Sequence, residues 1–448
     1  MRSVYKSITY SALWMVTAAI AASTRFIQPH PFDTPFLDTM RHVIVFFASI
    51  LLAKYFFYMV VAPFYDVIES RRVVTTLMAD YYPLVSVMIP AWNEEVGLLG
   101  TVKTLLDSTY RHVELVIVND GSTDGSHAMM LNFVSKYNEQ MTDVPEYKRI
   151  RILYHYQPNG GKGSALNTAI QLSHGAILLS IDADCHVHAR CIEEFVNAFR
   201  NPKVMAAVGN VRVGNTKSLV GTIQYLEYIF GFYFKKADSL LNTIYIIGGA
   251  AGAFRREVFQ VIGGYNTKNI TEDIELSVRI QEQGWKIVYC PGALVLTEGA
   301  STLTGLKKQR YRWKYGRFQT FMQHRNLFFS TERRHNKLLC WVILPLAIFG
   351  EVQLGLELLF ITMLYVFALL SGDFSAFLSG VFVVSLMFGV QAHDSGEFNI
   401  STLLLAPIGW LLFYVTTYVE VYALIRSIWN LIRKRDVQWQ KWKRTGVQ

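Results

Sequence analysis

Cysteine is scarce in this 448-residue sequence: Cys185, Cys191, Cys290 and Cys340 are the only four, and none has the paired spacing of a zinc site or a disulfide framework. That excludes a disulfide-stapled secreted scaffold and suits a reducing, cytosolic compartment. Charge is scarce as well, at 17% of residues, against 52% hydrophobic and 14% aromatic. With a mean hydropathy of +0.24, the chain is too apolar for an ordinary soluble enzyme and too charged for a pure transporter. A membrane protein with a sizeable soluble domain fits. A P-loop is also missing: around "QPNGGKGSALN" (157–167), Tyr156 stands where the pattern needs its first glycine and Gly163 where it needs Ser or Thr. This disfavours a nucleoside triphosphatase. The net charge of +9 raises the question of nucleic acid, but many basic residues flank apolar runs, where headgroups and topology rules account for them. No nucleic-acid partner is expected.

Apolar runs cover 8–27 and 42–65, the second interrupted by Lys54, and each is long enough to cross a bilayer as a helix. The first is long, lacks a clear small-residue cleavage site and is soon followed by another span, so it reads as an uncleaved anchor. Arg2 and Lys6 before the pair, with Arg71 and Arg72 after it, put both flanks in the cytoplasm. A C-terminal apolar block offers three more candidates, 338–370, 373–391 and 400–425. Three crossings would leave the basic segment 426–444 outside, against the positive-inside rule. Pro345, Glu351 and Glu357 therefore suggest that part of 338–370 is interfacial or lines a polar path. The expectation is four or five crossings in all. The aromatic-rich stretch 218–239, ending near Lys235 and Lys236, reads either as an interfacial amphipathic helix or as a buried core helix.

Between 82 and 300 the pattern changes to short Val/Ile/Leu-rich runs alternating with helical periodicity. "LVSVMIP", "VELVIV", "AILLSI" and "VMAAVG" have the character of buried parallel strands. They imply a doubly wound α/β domain, whose ligands bind at the carboxyl ends of the strands. Three of the runs are followed directly by "AWNEE", "NDGSTDGS" and "DADC". Asn119-Asp120-Gly121-Ser122 taken alone is also an ordinary turn with a helix cap. Asp182 and Asp184 place two carboxylates on one face of an extended segment, where they repel unless a cation lies between them; Mg2+ or Mn2+ shared with phosphate oxygens suits that role. The glycines before Lys162 let backbone amides approach an anion, and the lysine adds a point charge. In "NITEDIELS", Thr271 caps a helix whose first turn carries Glu272 and Asp273; helix-dipole preference accounts for those acids, and so does a general base at the crevice.

The order "PAWNEE", "NDGSTD", "DAD", "ITED", "QRYRW" spans about 225 residues between apolar blocks. In this the chain resembles the processive family 2 glycosyltransferases, the group of cellulose, chitin, hyaluronan and poly-N-acetylglucosamine synthases. "NITEDIELS" and "GGAAGAFRREV" (248–258) are most similar to the bacterial poly-β-1,6-N-acetylglucosamine synthases of biofilm matrix. The resemblance implies a GT-A type, Rossmann-like nucleotide-sugar domain embedded between transmembrane helices of a bacterial inner membrane, with the catalytic domain in the cytoplasm. The corresponding division is two N-terminal helices (1–70), the glycosyltransferase domain (71–300), an interfacial helix with the QxxRW element (301–335), C-terminal helices (336–428) and a basic tail (429–448). It further implies that Glu94 and Asp120 hold uridine, that Asp182 touches the nucleotide, that Asp184 holds the Mg2+ or Mn2+, that Lys162 meets the diphosphate, and that Asp273 is the base. The implied reaction is inverting polymerisation from a UDP-sugar, UDP-N-acetylglucosamine above others, onto a growing polysaccharide that leaves through the membrane helices. Small accessory membrane subunits and outer-membrane export proteins are the implied partners. Synthases using another UDP-sugar, and non-processive transferases to a lipid carrier, are the alternatives; the second usually lacks QxxRW.

"KKQRYRWKYG" (307–316) would serve as a membrane-surface belt with its residues in any order, and Lys307, Lys308, Lys314 and nearby Arg317 fit that role. The order Gln309-Arg310-x-Arg312-Trp313 is another matter. The resemblance places Arg310 and Arg312 toward the diphosphate, and Gln309 and Trp313 at the acceptor sugar. A guanidinium fork and an indole face suit those tasks.

Overall fold

The computed structural model describes residues 2–22, 34–69, 81–145, 149–394, 400–433, 435 and 446. Two apolar helices, α1 (Arg2–Ala22) and α2 (Pro35–Val61), come first. Thr34 caps α2, its hydroxyl accepting from Leu37 N at 3.3 Å ahead of Pro35 at the first turn. The sheet domain then runs β1 (Val85–Ala91), α3 (Leu98–Leu106), β2 (Val113–Asp120), α4 (Ser126–Gln140), β3 (Arg151–Gln157), α5 (Lys162–Leu172), β4 (Ile177–Ser180), β5 (Cys185–Val187), α6 (Cys191–Phe199), β6 (Val204–Val213), α7 (Leu219–Leu241), β7 (Gly252–Arg255), α8 (Arg256–Ile262), α9 (Glu272–Glu282) and β8 (Lys286–Thr297). After it come α10 (Leu303–Gln323), α11 (Leu344–Ser371), α12 (Ser375–Asp394) and α13 (Ile400–Ile432).

The sheet has eight strands in the order β3-β2-β1-β4-β7-β6-β8-β5. All four strands expected from sequence are present, and β1, β2 and β4 are mutually parallel, with Ala91 opposite Asn119 and Met88 opposite Ser180. Their carboxyl ends therefore share one edge. The order reverses at β1, which lies between β2 and β4, and this is the switch point where an open α/β sheet opens its crevice. β6 runs in the same direction, since it and β4 are both antiparallel to the short β7 that lies between them, and it is parallel to β8. The sheet is mixed because β7 is antiparallel to both β4 and β6.

Side-chain alternation explains the layering. Val85, Val87 and Ile89 of β1 join a core with Leu98, Val102, Met130, Ile192 and Phe195 on one face. Met88 faces the other way, into a core with Leu166, Val258, Leu276 and Ile280. A third cluster, with Trp14, Met59, Phe234, Phe321 and Met387, ties the apolar helices to the sheet domain. Burying several such side chains, at about 1.5–3 kcal/mol each, makes that contact a structural interface.

The stretch 218–239 resolves as the core alternative. Within α7, Ile223, Leu226, Ile229, Phe234 and Ala237 are buried, and the helix packs against β6 and β8 on one side and α2, α12 and α13 on the other. Its Lys236 is no surface anchor: it is buried and paired with Asp394 (2.7 Å) and Asp66 (3.2 Å). The segment 338–370, expected to be partly interfacial or to line a polar path, is helical throughout. A π-helical turn (Leu339–Ile343) leads without a break into α11, Pro345 follows directly on that turn, and Leu339–Ser371 is long and apolar enough to cross a membrane. Among the described residues it is the one helix that meets that test. Arg71, Arg72 and most of the basic tail lie outside the described residues. All four cysteines are free and buried.

Candidate active site

The chain after β1 turns sharply because Asn93 adopts a left-handed conformation (φ 55°), which asparagine tolerates. Its Oδ1 accepts from the amides of Thr123 (2.6 Å) and Asp124 (3.3 Å), clamping the end of β1 to the loop after β2. Glu94 N donates to Ser126 Oγ at 3.0 Å, and the Glu94 side chain is buried in the crevice. Asp120, the last residue of β2, is also buried. Its carboxylate accepts from Gln157 Nε2 (2.7 Å), Gly160 N (2.9 Å) and Gly161 N (2.8 Å). Asp120 therefore fixes the glycine loop that opens α5, a structural task beyond the one the motif suggests.

Lys162 begins α5 immediately after Gly161, which holds φ 87°. Its ammonium donates to Asp182 Oδ1 at 2.6 Å and lies 3.5 Å from Glu272 Oε1. Burial works against that charge, but Asp182, Glu272 and Asp273 outweigh it and hold the lysine protonated well above its ordinary range. Asp184 is buried beside Ala183, whose carbonyl accepts from Thr101 Oγ1 at 2.9 Å. Asp273 Oδ2 accepts from Gly249 N at 2.9 Å, so the carboxylate is aimed by the backbone ahead of β7. A methyl at Gly249 would lie 2.6 Å from Lys162 Nζ and 3.5 Å from Asp273 Oδ2, so this glycine borders the space where both side chains end.

No cluster of three or more His, Cys, Asp or Glu side chains able to cage a metal occurs among the described residues. The DxD aspartates thus do not form an all-protein cage. They fit a hard divalent ion that takes most of its oxygens from a diphosphate and water, which is how Mg2+ and Mn2+ are ordinarily held.

The helix α10 forms the roof. Arg310 is buried and held by Glu227 Oε2 at 2.7 Å and Glu420 Oε1 at 3.5 Å, and its guanidinium stacks 4.4 Å from the Trp313 ring centre. Gln309 is buried, and its Oε1 has no hydrogen-bond partner among the described residues. The belt reading of the flanking cations is half corrected. Lys307 does lie over the Tyr418 and Tyr422 rings at 4.7 and 5.1 Å. Lys314, however, is buried between Glu351 (2.7 Å) and Glu420 (2.9 Å), and Arg317 pairs with Glu351. Glu351 thus answers cations of the roof instead of facing lipid.

All ten residues singled out from sequence line one cavity of about 1270 Å³: Glu94, Asp120, Lys162, Asp182, Asp184, Asp273, Gln309, Arg310, Arg312 and Trp313. Its wall continues past them to Lys54, Tyr55 and Tyr58 of α2 and to Phe234, Lys235 and Asp238 of α7. Sequence reasoning missed Glu272, Glu227 and Glu420. Glu272 was set aside as a helix-dipole acid; Glu227 and Glu420 are single acids in otherwise apolar helical runs, and that isolation was the available signal.

The profile described as "Glycosyltransferase like family 2" matches residues 83–316, more than half of the chain. The chain belongs to that family. Over 242 residues it is 29% identical to the poly-β-1,6-N-acetyl-D-glucosamine synthase of Staphylococcus epidermidis, covering 53% of this chain and 56% of that protein. Over 250 residues it is 29% identical to the synthase of the same name from Staphylococcus aureus, covering 55% and 57%. The chain thus spans less than two thirds of the curated relatives it matches. Among solved structures, the mannosyltransferase PcManGT from Pyrobaculum calidifontis, in complex with GDP-Man and Mn2+, superposes with a TM-score of 0.54 at 17% identity, covering 89% of this chain and all of that one. That likeness supports the fold alone: a GT-A-like α/β domain on a mixed sheet.

Proposed function

We propose that this family 2 member is a processive, inverting polymerase that builds a β-linked polysaccharide from a UDP-sugar and passes it across the membrane in which it sits. UDP-N-acetylglucosamine and a β-1,6-linked product are the donor and linkage favoured by likeness to the staphylococcal synthases. The observation that carries the reading is the single cavity. It joins the DxD and TED carboxylates to the QRYRW roof and continues along α2 and α7, so donor, acceptor and departing chain share one continuous space.

The chemistry follows from the residues. Glu94 and Asp120 border the nucleoside end; Lys162, Arg310 and Arg312 supply positive charge for the diphosphate; Asp182 meets the nucleotide. Mg2+ or Mn2+, held by Asp184, would neutralise the leaving diphosphate. Asp273 takes the proton of the acceptor hydroxyl as its oxygen attacks C1; the C1–O bond to phosphate breaks and its electron pair leaves with UDP. One displacement inverts the α-linked donor to a β-glycoside. Trp313 gives the acceptor ring an apolar face, and the unpartnered Gln309 Oε1 is an acceptor suited to a sugar hydroxyl.

The test incubates membranes containing the protein with single UDP-sugars and Mg2+ or Mn2+, then digests the product with linkage-specific hydrolases. Polymer from UDP-N-acetylglucosamine that a β-1,6-specific enzyme degrades is expected; polymer from UDP-glucose alone overturns the donor, and a product extracted into organic solvent points to a lipid carrier. Asp273→Asn should abolish synthesis while retaining UDP binding, and near-normal turnover in that variant would remove Asp273 as the base.

A further inference from the structure

A second, smaller cavity shares only Phe232 with the catalytic one and lies where the end of α12 meets α7 and the sheet. Its volume is about 110 Å³, more than a single water needs, and its walls include Asn210 and Arg212 of β6, Lys236 of α7, and Gln391 and Asp394 of α12. Two lysines and two aspartates here are settled among themselves. Lys236 Nζ lies 2.7 Å from Asp394 and 3.2 Å from Asp66, and Lys6 Nζ lies 2.6 Å and 3.7 Å from the same two acids. Arg212 is buried as well, and with Lys236 against Asp394 it leaves the lining one net positive charge. Gln391 is in a different position. It is 1% exposed, and neither its Oε1 nor its Nε2 has a hydrogen-bond partner among the described residues. A buried amide left in that state is costly, so its free donor and free acceptor point to a ligand that takes one hydrogen bond and gives another.

We infer that this cavity binds a hydroxyl-bearing oxyanion of phosphate size, supplied as inorganic phosphate or as the phosphoglycerol headgroup of a lipid. Arg212 answers the charge with its fork of donors, Gln391 Nε2 donates to the anion, and Gln391 Oε1 accepts from its hydroxyl. The lining selects against other ions. Sulfate or a carboxylate at neutral pH offers acceptors only and leaves Gln391 Oε1 unmet, and a cation would have to enter beside Arg212 and Lys236. An occupant would tie α12 to β6 through one ion. Helix α12 is apolar over Val381–Asp394, so a lipid lying along it would bring its headgroup to the cavity at the end of that run. Apart from that second source, which needs the proposed membrane, the inference is independent of the polymerase reading.

Equilibrium dialysis of the full-length protein in detergent against radiolabelled inorganic phosphate at pH 7 tests the site, with total lipid phosphorus measured on the same samples. The wild type should hold about one more phosphate, free or lipid-borne, per chain than Arg212→Met, which removes the charge that meets the anion. Phosphate held in the catalytic cavity is common to both and cancels. Sulfate should displace the label at least about fivefold less well than phosphate does, the factor that one unmade hydrogen bond supplies, and Gln391→Leu should treat the two ions alike. Phosphatidylglycerol in mixed micelles that displaces the label, where phosphatidylcholine does not, assigns the site to a headgroup; label that neither lipid displaces assigns it to free phosphate. Equal free and lipid phosphorus in the wild type and Arg212→Met overturns the inference, because the cavity then holds water only. Should Arg212→Met fail to give a single folded species on size exclusion, Gln391→Leu decides: a preference for phosphate over sulfate that is the same with and without the amide overturns it equally.

Discussion

Asp120→Asn is an isosteric change whose effect can be worked out before any nucleotide is added. The native carboxylate accepts three hydrogen bonds, two of them from consecutive backbone amides of the glycine loop, Gly160 and Gly161, and one from Gln157. An asparagine keeps one oxygen and presents an NH2 where the other was, so at least one loop amide faces a donor. A hydrogen bond to a charged acceptor is worth about 1.5–3 kcal/mol, and a buried donor left unmade costs about as much again as its desolvation. The loop should open locally more often by roughly 2–4 kcal/mol, and Lys162, which starts α5 at its end, should lose its aim. Hydrogen exchange on nucleotide-free protein reads this directly: the Gly160 and Gly161 amides should exchange at least about tenfold faster, with the amides of β2 unchanged. UDP affinity should fall with it. If those two amides exchange at the wild-type rate while UDP binding is lost, Asp120 acts only through direct contact with the nucleotide, and the loop-anchoring argument is refuted.

Other outcomes follow from the same structure. Lys314→Met leaves Glu351 and Glu420 short of a buried partner and should destabilise the protein by about 3–5 kcal/mol, read as a lowered midpoint of unfolding in detergent; an unchanged midpoint would mean that Arg310 and Arg317 suffice for both acids. His324, which closes α10, lies 2.9 Å from Glu282 and 3.3 Å from Glu275; burial opposes its charge, but those bonds raise it to about 9. Because the folded value is raised, its stabilisation is complete below the ordinary histidine range near 6.5 and disappears as pH rises through about 9. The midpoint of thermal unfolding should therefore fall between pH 7 and 10, and His324→Gln should flatten that slope, the full difference being at most about 3 kcal/mol. Chelation with EDTA should abolish sugar transfer and added Mn2+ or Mg2+ should restore it; activity that survives chelation would remove the divalent ion from Asp184.

The strand ends were legible in the sequence because parallel buried strands are near-continuous apolar runs punctuated by turn residues, and "AWNEE", "NDGSTD" and "DAD" follow such runs. The mixed character of the sheet was not, since β7 (Gly252–Arg255) is only four residues long and its direction depends on partners far along the chain. Helix α7 illustrates a different limit: an aromatic-rich run ending in Lys235 and Lys236 has the same composition whether it meets lipid or a protein core. What decided it was the position of β6 and β8 on one side and apolar helices on the other. Lys314 and Glu351 are 37 positions apart, and neither betrays the other locally.

The sequence by itself marked out ten residues that line one cavity and set the acids and Lys162 at strand ends and helix starts, because turn formers, carboxylates and apolar periodicity are local properties. Only the tertiary structure decided that Asp120 holds the glycine loop, that Lys162 pairs with Asp182 and Glu272, and that Arg310 and Lys314 are held by Glu227, Glu351 and Glu420. Those assignments depend on distances between side chains remote in the chain. Among buried charges, the nearest opposite charge sets the role of each group.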